Sequence, residues 1–195
     1  MGLAKRAVFA GLAVFGTVAW SAAADDATQR PLNDPGSFWT IWGTPVKANF
    51  VAAPTLKGGA AQRVTISPRP GKPWDVGTVT VINKPVKKGD VLVLMFWARA
   101  EKPPAGSDLV MVSGRIYENC PSGIGISPET SFLIGKQWKF YYVAGTANKD
   151  YPAKTLGAGM VLGTGEQVID FGQVVIVDYG PGFDLNSLPH DLPRS

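Results

Sequence analysis

His190 is the only histidine and Cys120 the only cysteine of the 195 residues. Any Ser–His or Cys–His nucleophile would have to use that imidazole, as would a His-ligated metal. It stands between Pro189 and Asp191 close to the C-terminus, where side chains are mostly solvated. A lone thiol cannot close a disulfide within the chain. In an exported protein it is either intermolecular, reactive, or simply a tolerated residue of the loop Asn119-Cys120-Pro121-Ser122-Gly123. Hydrolysis by two carboxylates needs no histidine. Most acids here fall in turns or at strand ends, and only Glu118 and Asp170 sit near strand interiors. Gly163-Thr164-Gly165 reads as a turn between strands rather than a phosphate loop opening a helix.

Aromatic residues with hydrogen-bonding neighbours remain. A sugar ring has an apolar face of axial C–H groups and an equator of hydroxyls, so its site needs flat aromatic plates with polar groups at the rim. Three places supply both: Trp74 with Arg69 and Asp75, Trp97 with Arg99, and Arg115 with Tyr117 and Glu118. Each has a plainer reading. Trp97 could be core, since its strand is apolar on both faces. Trp74, after Pro73 in a rigid loop, is expected to be exposed. Trp138 precedes a strand and is expected in the core.

The elements that must position these residues are strands. Lys87-Lys88-Gly89-Asp90 is a polar turn, Val91–Arg99 a run of β-formers, and Lys102-Pro103-Pro104 a breaker. Leu92, Leu94, Phe96 and Ala98 make one plain apolar face. Val93, Met95, Trp97 and Arg99 make the other, which ends in an aromatic plate and a cation, as a contact surface would. Further strands are predicted over 37–43, 61–67, 76–82, 109–118, 138–144, 156–162 and 168–179, the last bent or bulged at Gly172. Trp39 and Trp42 have opposite parity, so one can pack inward while the other faces out. Residues 44–59 and 119–135 read as connections. Gly 23, Pro 16 and 45% hydrophobic residues agree with many short strands and turns, and no long helical period occurs. The prediction is one all-β domain, an antiparallel β-sandwich of the jelly-roll kind.

Lys5 and Arg6, the apolar run Ala7–Val18 and the small residues Ser21–Ala24 have the form of a signal peptide, with cleavage expected after Ala24. The apolar run is shorter than the roughly 20 residues of a membrane span. A secreted or periplasmic protein, not inserted in the membrane after cleavage, is therefore expected. Residues 1–24 carry two basic and no acidic side chains, so their removal lowers the net charge from +4 to +2. Nothing in that balance asks for nucleic acid or an anionic surface. The divisions expected are 1–24 signal peptide, 25–36 a flexible polar segment, 37–180 the sandwich, and 181–195 a linker-like tail.

These residues resemble the CenC-type carbohydrate-binding modules, the group that includes families four, nine and twenty-two. The features are Arg63-Val64-Thr65 leading to Trp74, Val86 to Asp90 before Leu94 to Ala100, Gly135 to Tyr141, Ala158 to Gly163, and Val168 to Phe171. The resemblance implies a galactose-binding-like jelly roll with a sugar cleft, often a structural calcium ion, and attachment to xylan- or glucan-active glycoside hydrolases. In the xylan-binding branch a tryptophan after a basic residue stacks on sugar, and Trp74 stands there; Tyr117 corresponds to a contributing tyrosine. That branch has a glutamate on a late strand where Val161-Leu162-Gly163 stands here. Asp170 falls near the place of the calcium ligand, with different local spacing. The stretch Asp178 to Pro189 resembles the linker that leads to a xylanase-type catalytic domain.

The sequence therefore predicts a monomeric, non-catalytic module, free-standing or a fragment of a glycoside hydrolase. It would bind a polysaccharide or oligosaccharide of the xylan or β-glucan type through Trp74, Trp97, Arg99, Arg115 and Tyr117. Two alternatives are a small jelly-roll glycosidase or lyase using Glu118 and Asp170, and an envelope interaction protein cross-linked through Cys120.

Overall fold

The computed structural model describes residues 29–34, 36–119 and 123–188. The proposed signal peptide, Cys120 and His190 lie outside the described residues. The strands are β1 (Arg30–Pro31), β2 (Thr40–Gly43), β3 (Lys47–Ala52), β4 (Ala60–Ile66), β5 (Val76–Val81), β6 (Asp90–Lys102), β7 (Val110–Glu118), β8 (Thr130–Ile134), β9 (Lys139–Thr146), β10 (Leu156–Val161) and β11 (Gln167–Pro181). Sheet A runs β3-β4-β11-β6-β9, with β1 also on β11; sheet B runs β2-β5-β10-β7-β8. All pairings are antiparallel. The molecule is the all-β sandwich its alternating pattern predicts.

Parity decides the packing. The even residues Leu92, Leu94, Phe96 and Ala98 of β6 point into the core, where Phe96 meets Trp39, Phe132, Tyr141 and Phe171 with ring centroids 5.5–6.3 Å apart. Such contacts add about 1 kcal/mol per pair beyond area burial. Trp39 packs inward at 3% exposure and Trp42 faces out at 43%, as their opposite parity requires.

β11 organises sheet A more than β6 does. It pairs with β6 along one edge and with β4 and then β1 along the other. Between those two, the Asn33 amide takes the place of a strand: its Nδ2 donates to the Val174 carbonyl (2.9 Å), and its Oδ1 accepts from Ile176 N–H (2.8 Å). Leu32 is fully buried and Arg30 pairs with Asp178 at 2.8 Å. Residues 30–33 are thus fixed, against the loose segment their composition predicts; the polar side chains that suggest solvation are spent on β11. The predicted bulge occurs, as the β11–β6 register shifts between Phe171 and Val174.

The odd residues Val91, Val93 and Met95 of β6 are also buried, together with Leu188, and Phe140, Tyr142, Val177 and Phe183 pack around them. The residues after β11 therefore fold back over the outer face of sheet A, and at least 183–188 are no free linker. Trp97 lies beyond this cover.

Candidate glycan groove

Sheet B presents its odd-numbered β7 side chains, Met111, Ser113, Arg115 and Tyr117, away from the core. On the neighbouring β10 the matching outward positions are Gly157, Gly159 and Val161. Two of these three carry no side chain, so large rings from neighbouring strands can lie against the backbone. A Cβ on Gly159 would stand 2.4 Å from the Thr78 carbonyl oxygen and 3.2 Å from Tyr117 Oη. A Cβ on Gly77 would stand 2.6 Å from Trp42 Cζ2, and Trp42 is the register partner of Gly77. Glycine is what lets both aromatic plates settle onto the sheet. Gly159→Ala is expected to cost about 2 kcal/mol through overpacking and to lift Tyr117. Thermal unfolding checks the first effect; an unchanged midpoint would show that the strands spread without strain.

Trp74 reaches the same place from a 3-10 turn, Pro73–Asp75. Asp75 Oδ2 accepts from Lys72 N–H at 2.8 Å, Pro73 O from Gly163 N–H at 2.8 Å, and Asp75 O from Thr44 N–H at 3.3 Å. The turn is thereby fastened to the end of β2 and to the β10–β11 connection. Its indole is 60% exposed, as its loop position predicts, with Lys72 Nζ 5.8 Å from the ring centroid. Together Trp42, Trp74, Arg115, Tyr117, Ser113 and Glu129 surround a groove of about 240 Å³.

Its polar groups are suited to hydroxyls. The Arg115 guanidinium stands 5.5 Å over the Tyr117 ring, and Ser113 Oγ donates to Glu129 Oε1 at 2.6 Å. Burial pushes the Tyr117 hydroxyl above its ordinary pKa, with Arg115 opposing. The phenol therefore keeps its proton throughout the neutral range. Arginine donors, a tyrosine O–H and a carboxylate acceptor around three plates form the combination an oligosaccharide requires.

Of the five sugar-binding residues predicted from sequence, the groove gathers Trp74, Arg115 and Tyr117. Trp97 and Arg99 stand on β6 in sheet A, so the single site expected for all five does not form. Trp97 is not core either: it is 41% exposed on the outer face of sheet A, beside Phe140. Arg99 is held by Asp170 and Glu101, each at 2.8 Å, and lies 5.2 Å from the ring centroid of Trp138. Trp138 is consequently half-buried at the surface rather than in the core, its face covered by a cation.

Asp170 is a poor metal ligand. Its carboxylate is fully buried and accepts from Arg63 Nε and Nη2 (2.7 and 2.9 Å) and from Arg99 Nε and Nη2 (3.0 and 2.8 Å). Two guanidinium groups occupy the oxygens that calcium would need. Among the described residues no group of three or more His, Cys, Asp or Glu side chains is placed to hold a metal ion. Asp170 and Glu118 do not form a catalytic pair, because they belong to different sheets. Glu118 accepts from the Tyr151 hydroxyl at 3.2 Å and pairs with Lys149 at 3.0 Å.

Ser113 and Glu129 are groove residues that the sequence does not single out, and Trp42 is marked there only by its parity opposite to Trp39. The outward parity of Ser113 is readable from its alternation with Arg115 and Tyr117. Glu129 carries no such signal, since it lies in a stretch that reads as loop.

No protein-family model and no curated protein matches the chain in sequence. Solved structures match in fold. The second N-terminal cellulose-binding domain of Cellulomonas fimi β-1,4-glucanase C aligns at TM-score 0.52 with 20% identity, over 76% of this chain and 90% of that one. The CBM22-1 xylan-binding domain of Paenibacillus barcinonensis Xyn10C aligns at TM-score 0.52 with 12% identity, over 79% and 94%. A family-four module, CBM4, aligns at 0.50 with 18% identity, over 71% and 89%. The chain has the β-sandwich fold of these carbohydrate-binding modules.

Proposed function

We propose that this chain is a carbohydrate-binding module that holds a β-linked glycan of the xylan or β-glucan type along the outer face of sheet B, without doing chemistry on it. The observation that carries the reading is the convergence of Trp42, Trp74 and Tyr117 on one groove with Arg115, Ser113 and Glu129 between them. Two aligned modules are a cellulose-binding and a xylan-binding domain. A non-catalytic role follows from the groove's acids: among the described lining residues Glu129 is the one carboxylate, whereas glycoside hydrolysis uses two. Export through the leader at residues 1–24, to the periplasm or the medium, belongs to the same proposal, because such polymers lie outside the cell.

Affinity electrophoresis of residues 25–195 in gels containing xylan, β-glucan or no polymer tests it. Retardation by one polymer is the expected result and names the ligand class. Equal mobility across all gels would refute glycan binding. Since the groove's donors are arginine and a tyrosine held protonated, retardation is also expected to stay constant from roughly pH 6 to 9. A steep change in that range would point to a titrating group in the contact.

A further inference from the structure

The outer face of sheet A has a recess that the groove does not use. We propose that it is a second glycan contact, on the side of the sandwich opposite the groove, selective for sugar units that bear a carboxylate. The proposal rests on the carbohydrate-binding reading and adds a second, independent site to it.

The recess arises from the bulge in β11. Where the β11–β6 ladder slips between Phe171 and Val174, Gly172 lies against Trp97, and a Cβ there would stand 3.1 Å from Trp97 Cβ and 3.1 Å from Leu56 Cδ1. The bulge therefore seats the tryptophan on bare backbone, as the glycines of sheet B seat Trp42 and Tyr117. Bulges that re-aim side chains are a recurrent feature beside functional sites. Trp97 pairs across the sheet with Phe140, their ring centroids 5.5 Å apart, and about 210 Å³ opens between them and Leu56, Lys57, Met95 and Gln173.

The folded-back residues Phe183 and Leu188 cover the Val91–Met95 end of this face but leave Trp97 exposed. What remains is an aromatic plate with an amide and an ammonium at its edge, which suits a pyranose ring better than an apolar partner.

Charge narrows the ligand. Lys57 is the one charged side chain lining the recess, is exposed, and has no ion-pair partner among the described residues. The acids on the same face, Asp170 and Glu101, are already paired with Arg63 and Arg99. An unopposed ammonium beside a stacking plate favours a uronic acid over a neutral sugar. The two sites face opposite directions, so one stretch of glycan cannot fill both, and one molecule can bridge two chains.

Affinity electrophoresis in glucuronoxylan, and in the same polymer with its carboxyls reduced, tests this with variants at both sites. Trp74→Ala is expected to keep partial retardation in glucuronoxylan and to lose it in the reduced polymer. Adding Trp97→Ala or Lys57→Glu should weaken that remainder by about tenfold or more. Lys57→Glu changes an exposed loop residue, so it tests the site even if Trp97→Ala unfolds. Complete loss of retardation in Trp74→Ala on both polymers would overturn the second site and leave the groove standing. Unchanged retardation in Trp74→Ala, abolished by Trp97→Ala, would uphold the second site and overturn the groove. Insensitivity to both Trp97→Ala and Lys57→Glu in the Trp74→Ala background would overturn the proposal.

Discussion

Trp74→Ala is expected to weaken retention on the neutral polymer that the wild type binds by about thirtyfold, a loss of ~2 kcal/mol typical of a buried aromatic anchor at an interface. The residue bears this weight because its turn is closed on itself by the Lys72–Asp75 bond and fastened at two places to the sandwich, so little ordering entropy remains to oppose ligand binding. With 60% of the residue exposed, its removal leaves the core intact. The unfolding midpoint should therefore stay within a degree or two of the wild type, on the scale of ordinary surface substitutions. Retention equal to wild type would remove Trp74 from the site. A large fall in the midpoint would mean that the turn depends on the indole.

Asp170→Ala should have the opposite signature, a large loss of stability. The carboxylate is fully buried between Arg63 on β4 and Arg99 on β6 and ties three strands of sheet A together at its outer face. Without it the two guanidinium groups face each other with only Glu101 between them. Breaking a buried pair by removing one partner costs about 3–5 kcal/mol. Because both arginines are partly exposed, the lower end applies. For a domain of this size that corresponds to a drop of roughly 10 °C in Tm. Calorimetry measures it directly, and addition of calcium to the wild type should not raise Tm. A calcium-dependent rise would locate a metal site elsewhere in the chain.

Alternation was the most legible property. It placed Leu92, Leu94, Phe96 and Ala98 in the core, turned Trp39 and Trp42 to opposite sides, and put Ser113, Arg115 and Tyr117 on one face. It failed at the sheet edges. β3 is exposed along nearly its whole length, with Phe50 in solvent, so no hydrophobic period marks it. β8 has only five residues inside a Gly/Pro/Ser-rich stretch. The separation of Trp97 from Trp74 was illegible for a different reason: parity tells which face of a strand a residue occupies, while strand pairing decides which sheet the strand joins. Trp138 was misplaced because burial of an indole was expected from apolar packing, and a guanidinium covers it instead.

The position of β11 bears on when the protein can fold. β1, β4 and β6 have β11 as their common partner, with β3 attached through β4 and β9 through β6. Without Gln167–Pro181, sheet A is three separate pieces. A ribosome makes that segment after every other strand of both sheets. The nascent chain therefore stays open until nearly all of it has emerged, since its closing contacts join residues far apart in sequence. A leader at residues 1–24 would meet an export machinery long before the core could close. Under the proposed export, the late hub would keep the chain threadable during delivery and let it collapse on arrival.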